Sequence, residues 1–275
     1  MQKLRIRYAK RGRLRFTSHR DVARTFERAL RRAGVPMAYS QGFNPRPKVS
    51  WIGAAPTGTA SEAEYVEVSV VDRIDTAALA RELDSALPPG LDVIEAVEAA
   101  SGSLADRIDA CTWRIELPGV DPDELGRAVE LLLAAPEVIV QKLTKDGRKD
   151  IDARAAIVSA EVLASAEALA PTGTEAASAE VVREVEVTTT RVGDGAGGVR
   201  RCGILSTVVR QTQPVVRPDD VLSALRVVAD LQPPVPAKAT RMAQGRLDDG
   251  GALTDPFASD REPTRATSGL PDVEE

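Results

Sequence analysis

The apolar residues of this chain change period in a fixed order, and that order restricts the fold more than any single motif. Residues 3–8 alternate: Leu4, Ile6 and Tyr8 face one way, Lys3, Arg5 and Arg7 the other, the pattern of a half-buried strand. After a turn at Gly12, Ser18-x-x-Asp21 is an acidic capping box, and Gly34 with Pro36 stops the helix it opens. Short extended segments follow at 37–40, 48–52 and 65–70, separated by Gly/Pro-rich loops. Residues 75–87 read as a second helix, stopped by Pro88-Pro89-Gly90, and 91–97 as a returning strand. The order β, α, β, β, α, β is the split βαβ arrangement of ferredoxin-like units.

A similar order recurs downstream. Strands are expected at 112–117, 138–143, 183–191, 204–210 and 235–241, and helices at 121–135 and 218–231. Residues 161–180 are Ala/Ser-rich and fit either a loop or a frayed helix; 246–275 are acidic with little apolar content. The expected fold is therefore α+β, with tandem ferredoxin-like units at 1–105 and 106–245 and a disordered acidic tail at 246–275.

Charge is distributed unevenly. The first 51 residues carry 14 Lys/Arg against two acids, Asp21 and Glu27, whereas the whole chain has a net charge of -5. A basic segment on an acidic body suggests a polyanionic partner. On a helical wheel, Val22, Phe26, Ala29, Leu30 and Ala33 share one face of the first helix, while Arg20, Arg24, Arg28 and Arg31 line the opposite one. Like charges at these spacings cost a few tenths of a kcal/mol per pair. A phosphate backbone would offset that cost, and the guanidinium fork suits phosphate. A solvated outer face and an acidic protein partner, the chain's own tail included, also fit the stripe. If Leu4, Ile6 and Tyr8 pack under the helices, Lys3, Arg5 and Arg7 lie on the open sheet face, and one ligand cannot easily touch both surfaces.

Two further features carry chemistry. His19, the single histidine, stands at the start of the basic helix. It could act as a general base on an RNA 2′-hydroxyl, or simply hydrogen-bond near the helix end. In residues 40–48, Gly42 admits an unusual φ and Pro45 and Pro47 stiffen the loop. Phe43, Asn44, Arg46 and Lys48 would then form a recognition loop, or Phe43 would enter the core. Lys142, Lys145, Arg148 and Lys149 make a smaller basic spot around a DG turn.

Other classes find little support. Aromatic residues make up 3%, too few for a base-stacking sheet. No 18-residue apolar run suggests a membrane span, and the first residues do not read as a secretory signal. Cys111 and Cys202 read as lone thiols. No iron–sulfur spacing, phosphate loop or nucleophile elbow is present, and neither a metal nor a cofactor is expected.

Several of these residues together resemble a bacterial family, the radical SAM-linked (radical SAM-associated) proteins. They are Arg5-x-Arg7, Phe16-x-Ser18-His19-x-Asp21, Arg28-Ala29, Arg31-Arg32-Ala33-Gly34 and Ser40-x-Gly42-Phe43-Asn44-Pro45-x-Pro47. Glu64-Tyr65-Val66, Leu87-Pro88-x-Gly90-Leu91 and Lys149-Asp150-Ile151-Asp152 continue the match over residues 1–240. Where the family pattern has Leu after Ser-His, Arg20 stands here. The resemblance implies a domain of unknown function, found alone or fused behind a cobalamin-type radical SAM enzyme and often encoded near ribonuclease E/G. The expectation is a cytoplasmic, accessory RNA-binding protein that works with a separate radical SAM enzyme. A metal-independent endoribonuclease using His19 and a protein-interaction adaptor are the alternatives.

Overall fold

The computed structural model describes residues 1–144, 147–163 and 202–261. The first half runs β1 (Gln2–Lys10), α1 (His19–Arg32), β2 (Val49–Ile52), β3 (Ala60–Val70), α2 (Thr76–Ala86) and β4 (Leu91–Glu98). The second runs β5 (Ala110–Pro118), α3 (Pro122–Ala134), β6 (Ile139–Thr144), β7 (Gly147–Asp152), β8 (Ile157–Val162), β9 (Cys202–Arg210), α4 (Pro218–Ala229) and β10 (Lys238–Leu247), followed by β11 (Leu253–Thr254) and α5 (Ala258–Arg261). The fold is mixed α+β, as expected.

Alternation in β1 has the anticipated consequence. Leu4, Ile6 and Tyr8 are buried under α1 and α2 with Val22, Phe26, Leu30, Leu79 and Leu83. A second core forms where Trp113, Ile115 and Leu117 of β5 meet Leu125 and Leu132 of α3 and Leu225 of α4. At about 25 cal/mol per Å2 of apolar surface, these two cores dominate the folding energy.

The halves do not keep separate sheets. One sheet runs β4-β1-β3-β10-β5-β9-β8, with β2 and β11 pairing β3 and β10. Neighbours within each half are antiparallel. The seam between halves is a short parallel pairing of β10 with β3, Thr240 opposite Ala60 and Arg241 opposite Ser61. The hairpin β6-β7 forms its own two-stranded sheet.

Three expectations are corrected. The acidic tail does not start at 246: β10 extends to Leu247, β11 and α5 follow, and Phe257 is fully buried against Tyr65. Its low apolar content misleads because charge anchors it. The second correction is Arg5, which is not an open-face cation but fully buried. Its Nε donates to Glu67 Oε1 at 2.9 Å, Nη1 to Asp260 at 2.6 Å and Nη2 to the Gly102 carbonyl at 2.6 Å. Connector residues after β4 and the α5 segment therefore close this face. Third, the strand expected at 235–241 lies later, at 238–247. The strand expected at 183–191, most of 161–180 and the final part of the expected tail lie outside the described residues. Among the described residues no helix is long and apolar enough to cross a membrane.

Asp260 also receives Arg107 Nη1 at 2.9 Å and the Ala100 N–H at 2.9 Å. Burial pushes its carboxyl pKa up, but the hydrogen bonds from Arg5, Ala100 and Arg107 and the Arg5 charge hold it below its ordinary value. Removing one partner of a buried pair strands the other. Asp260→Ala should therefore lower unfolding free energy by about 3 kcal/mol in urea titrations. Its folded-state pKa being depressed, the carboxylate's contribution is complete above the usual carboxylate range and is lost as pH falls through the folded-state value. The stability of Asp260→Asn should accordingly depend less on pH in that acid window than that of the wild type.

A candidate nucleic-acid interface

Ser18 caps α1, its Oγ accepting the Asp21 N–H at 3.3 Å and donating to Asp21 Oδ2 at 2.7 Å. At the other end Gly34 takes φ +65°, and the Val35 N–H closes back on the Leu30 carbonyl. Between these stops the helix buries Val22, Phe26, Ala29 and Leu30 and turns Arg20, Arg24, Arg28 and Arg31 to solvent.

The four arginines are lightly engaged. Arg24 lies 3.7 Å from Asp21, and Arg28 donates to Thr25 Oγ1 at 3.3 Å. Among the described residues Arg20 and Arg31 have no ion pair. Elsewhere arginines meet carboxylates closely: Arg11 bridges Glu62 and Asp92, Arg107 meets Asp260, and Arg261 joins Glu95 and Asp255. Along α1 itself stand only two acids, Asp21 and Glu27, against the four arginines of the stripe.

Two concavities flank the stripe. A groove of about 920 Å3 separates α1 from α2, lined by Thr25, Arg28, Arg32, Arg81 and Ser85. Arg32 Nη2 donates to the Ala86 carbonyl across it. Sequence reading missed Arg32 and Arg81. Arg81 falls between the buried Leu79 and Leu83 on α2 and so points outward, but only the helix pairing sets it beside Arg28. On the other flank, a pocket of about 260 Å3 is lined by Glu27, Arg31, Met37, Tyr39 and Pro47. It joins the end of α1 to the 40–48 loop.

That loop is a closed excursion. Tyr39 bridges Pro47, the Ser40 N–H donates to the Arg46 carbonyl, and the Arg46 N–H donates to Ser40 Oγ at 3.0 Å. Gly42 takes φ +128°, while Phe43, Asn44, Pro45, Arg46 and Lys48 are exposed. Phe43 is wholly in solvent, so the core placement is excluded. Tyr39, half exposed, is an aromatic group the sequence reading passed over.

Other expected residues do not join this face. Arg5 is buried, and Arg7 is half-buried on the same side of β1, opposite α1, its Nε donating to the Glu62 carbonyl at 3.0 Å. In the smaller basic spot, Lys142 Nζ is held by Asp220 and the Val215 carbonyl. Arg148 and Lys149 are exposed; Lys145 lies outside the described residues. His19 is exposed and sits edge-on to Trp51, ring centroids 5.3 Å apart. No hydrogen bond joins it to an acid or second base among the described residues. Those residues also contain no group of three His, Cys, Asp or Glu side chains that could hold a metal ion. Cys111 is buried and Cys202 partly so, both as free thiols.

A family model described as "Uncharacterized protein conserved in bacteria (DUF2344)" matches residues 3–218. No curated protein matches the chain.

Because Ser18 seats the first turn that carries His19 and Arg20, Ser18→Ala should cost about 1 kcal/mol of stability by thermal or urea unfolding.

Proposed function

The chain belongs to the DUF2344 family of uncharacterized conserved bacterial proteins, and we propose that it is an accessory RNA-binding protein that grips phosphates along α1. The observation that carries this reading is the row of exposed arginines Arg20, Arg24, Arg28 and Arg31, of which only Arg24 has an ion pair among the described residues, 3.7 Å from Asp21, and which is bordered by the Arg32–Arg81 groove. Such a row is unfavourable in water and becomes favourable against a regular array of anions. Guanidinium forks bind phosphate oxygens in pairs, so the stripe would track a backbone.

The 40–48 loop would add selectivity. Phe43 and Tyr39 offer aromatic faces, and Arg46 and Lys48 offer cations. Two stacking groups beside a cationic track suit unstacked, single-stranded RNA better than a duplex. By the resemblance to radical SAM-linked proteins, the RNA would be presented to a separate radical SAM enzyme acting in the cytoplasm. No step of catalysis is assigned to this chain. His19 faces solvent at the head of the stripe, so cleavage of the bound strand is tested in the same experiment.

Fluorescence anisotropy of labelled tRNA and rRNA fragments at several salt concentrations checks the reading. Four phosphate contacts predict a slope of log K against log salt near -3 for single strands. The Arg20→Glu/Arg24→Glu/Arg31→Glu variant should bind about 100-fold more weakly and show a shallower slope. Phe43→Ala should lose about tenfold with an unchanged slope, the signature of lost stacking. Absence of binding at low salt overturns the proposal and directs attention to an acidic protein partner. RNA fragments on a gel, abolished by His19→Ala, would reassign the chain as a ribonuclease.

A further inference from the structure

Another concavity lies at the seam between the halves. Here β10 brings Arg241 to the first half. Its Nη2 donates to Glu64 Oε1, and its Nε to Ser61 Oγ at 3.3 Å. The other Glu64 oxygen accepts the Ala55 N–H at 3.0 Å. Lys10 is buried close by, its Nζ donating to the carbonyls of Ala55 and Pro56 at 3.3 and 3.2 Å. Two buried cations thus lie near one buried carboxylate, which ion-pairs with Arg241 and acts on Lys10 only through its charge. Burial pushes the Glu64 pKa up, yet the Arg241 charge, helped by hydrogen bonds, holds it below its ordinary value; burial lowers that of Lys10. A net buried positive charge is costly unless an anion meets it.

The space for that anion is adjacent. A pocket of about 180 Å3 has Cys111, Trp113, Val209 and Val216 as buried apolar walls and Arg241 as its buried cation. The Arg241 guanidinium sits 5.7 Å from the Trp113 ring centroid. Arg210, Gln211 and Arg217 stand at the exposed rim, and Gly53 and Ala54 close the opposite side. Three arginines and no carboxylate line it. Nη1 of Arg241 has no oxygen acceptor among the described residues. The volume is slightly above the roughly 150 Å3 of a cavity that accepts benzene, so one ring with a charged substituent fits and a nucleotide does not.

We propose that this seam pocket binds a compact organic anion, a carboxylate or phosphate monoester on a small planar body. The anionic head would sit against Arg241 with Arg210 and Arg217 at the mouth, and the body against Trp113, Val209 and Val216. The ligand would touch β5, β9 and β10 of one half and the loop after β2 of the other. It would therefore report on, and stabilise, their junction.

Isothermal titration calorimetry of the full chain with benzoate, phenyl phosphate and neutral benzyl alcohol tests this. Saturable binding of at least one anion, at least tenfold tighter than benzyl alcohol, is expected. The tighter anion identifies the head group. Arg241→Gln should reduce that binding at least tenfold. Because that change touches the buried cluster, Ala54→Trp provides the second variant: it plugs the mouth from an exposed position and should abolish binding while circular dichroism stays unchanged. No saturable heat with either anion at millimolar concentration, equal binding of benzyl alcohol, or unaltered binding by folded Ala54→Trp would each overturn the proposal.

Discussion

The molecule depends on a parallel contact two residue pairs long. The pairing of β10 with β3 is the seam by which two cores share one sheet, and so short a ladder supplies little cohesion of its own. Buried polar chemistry reinforces it: Arg241 on Glu64 and Ser61, and Gln244 Nε2 on the Ala63 carbonyl at 2.6 Å. Such groups add little as net attraction, because desolvation offsets most of the Coulomb gain. Their effect is specificity. Any other register of β10 would leave Arg241 and Glu64 buried without each other, and that costs several kcal/mol. The apolar cores fix how each half folds; the charged cluster fixes how the halves meet.

Arginine therefore serves two purposes in this chain, distinguished by its neighbours. Arg5 and Arg107 are satisfied by carboxylates and carbonyls, Arg241 is tied to Glu64 and Ser61 with Nη1 left over, and all three act as struts. Arg20 and Arg31 are turned outward with no ion pair among the described residues. The structural arginines come from β1, β10 and the connector after β4, so the sheet's far face is covered by protein. In the proposed RNA-binding reading, the α1 face with its groove and loop is what remains for the polyanion. The difficulty that one ligand could not reach both β1 and α1 disappears, because the β1 cations already have partners.

Local features were legible in the residues. Ser18 and Gly34 mark both ends of α1, alternation marks β1, and the arginine stripe follows from a 100° step. Each is set by neighbours within a few positions. What escaped was long-range. Nothing near Arg5 announces Asp260, and the segment around Phe257 looks too polar to fold because a buried carboxylate and one aromatic ring hold it down. The Arg32–Arg81 groove needs two helices aligned side by side. The seam pocket needs β10 placed between β3 and β5. These are properties of topology, which period and capping do not encode.

The Arg5–Asp260 clasp spans 255 positions, and this has a consequence for biosynthesis. At translation rates of about 5–20 residues per second, roughly 10–50 s separate the emergence of the two residues. During that interval the Arg5 guanidinium on β1, the strand flanked by β3 and β4, has Glu67 but not yet Asp260. The N-terminal half can collapse around its apolar core, while the opposite face of its sheet stays uncovered until α5 docks.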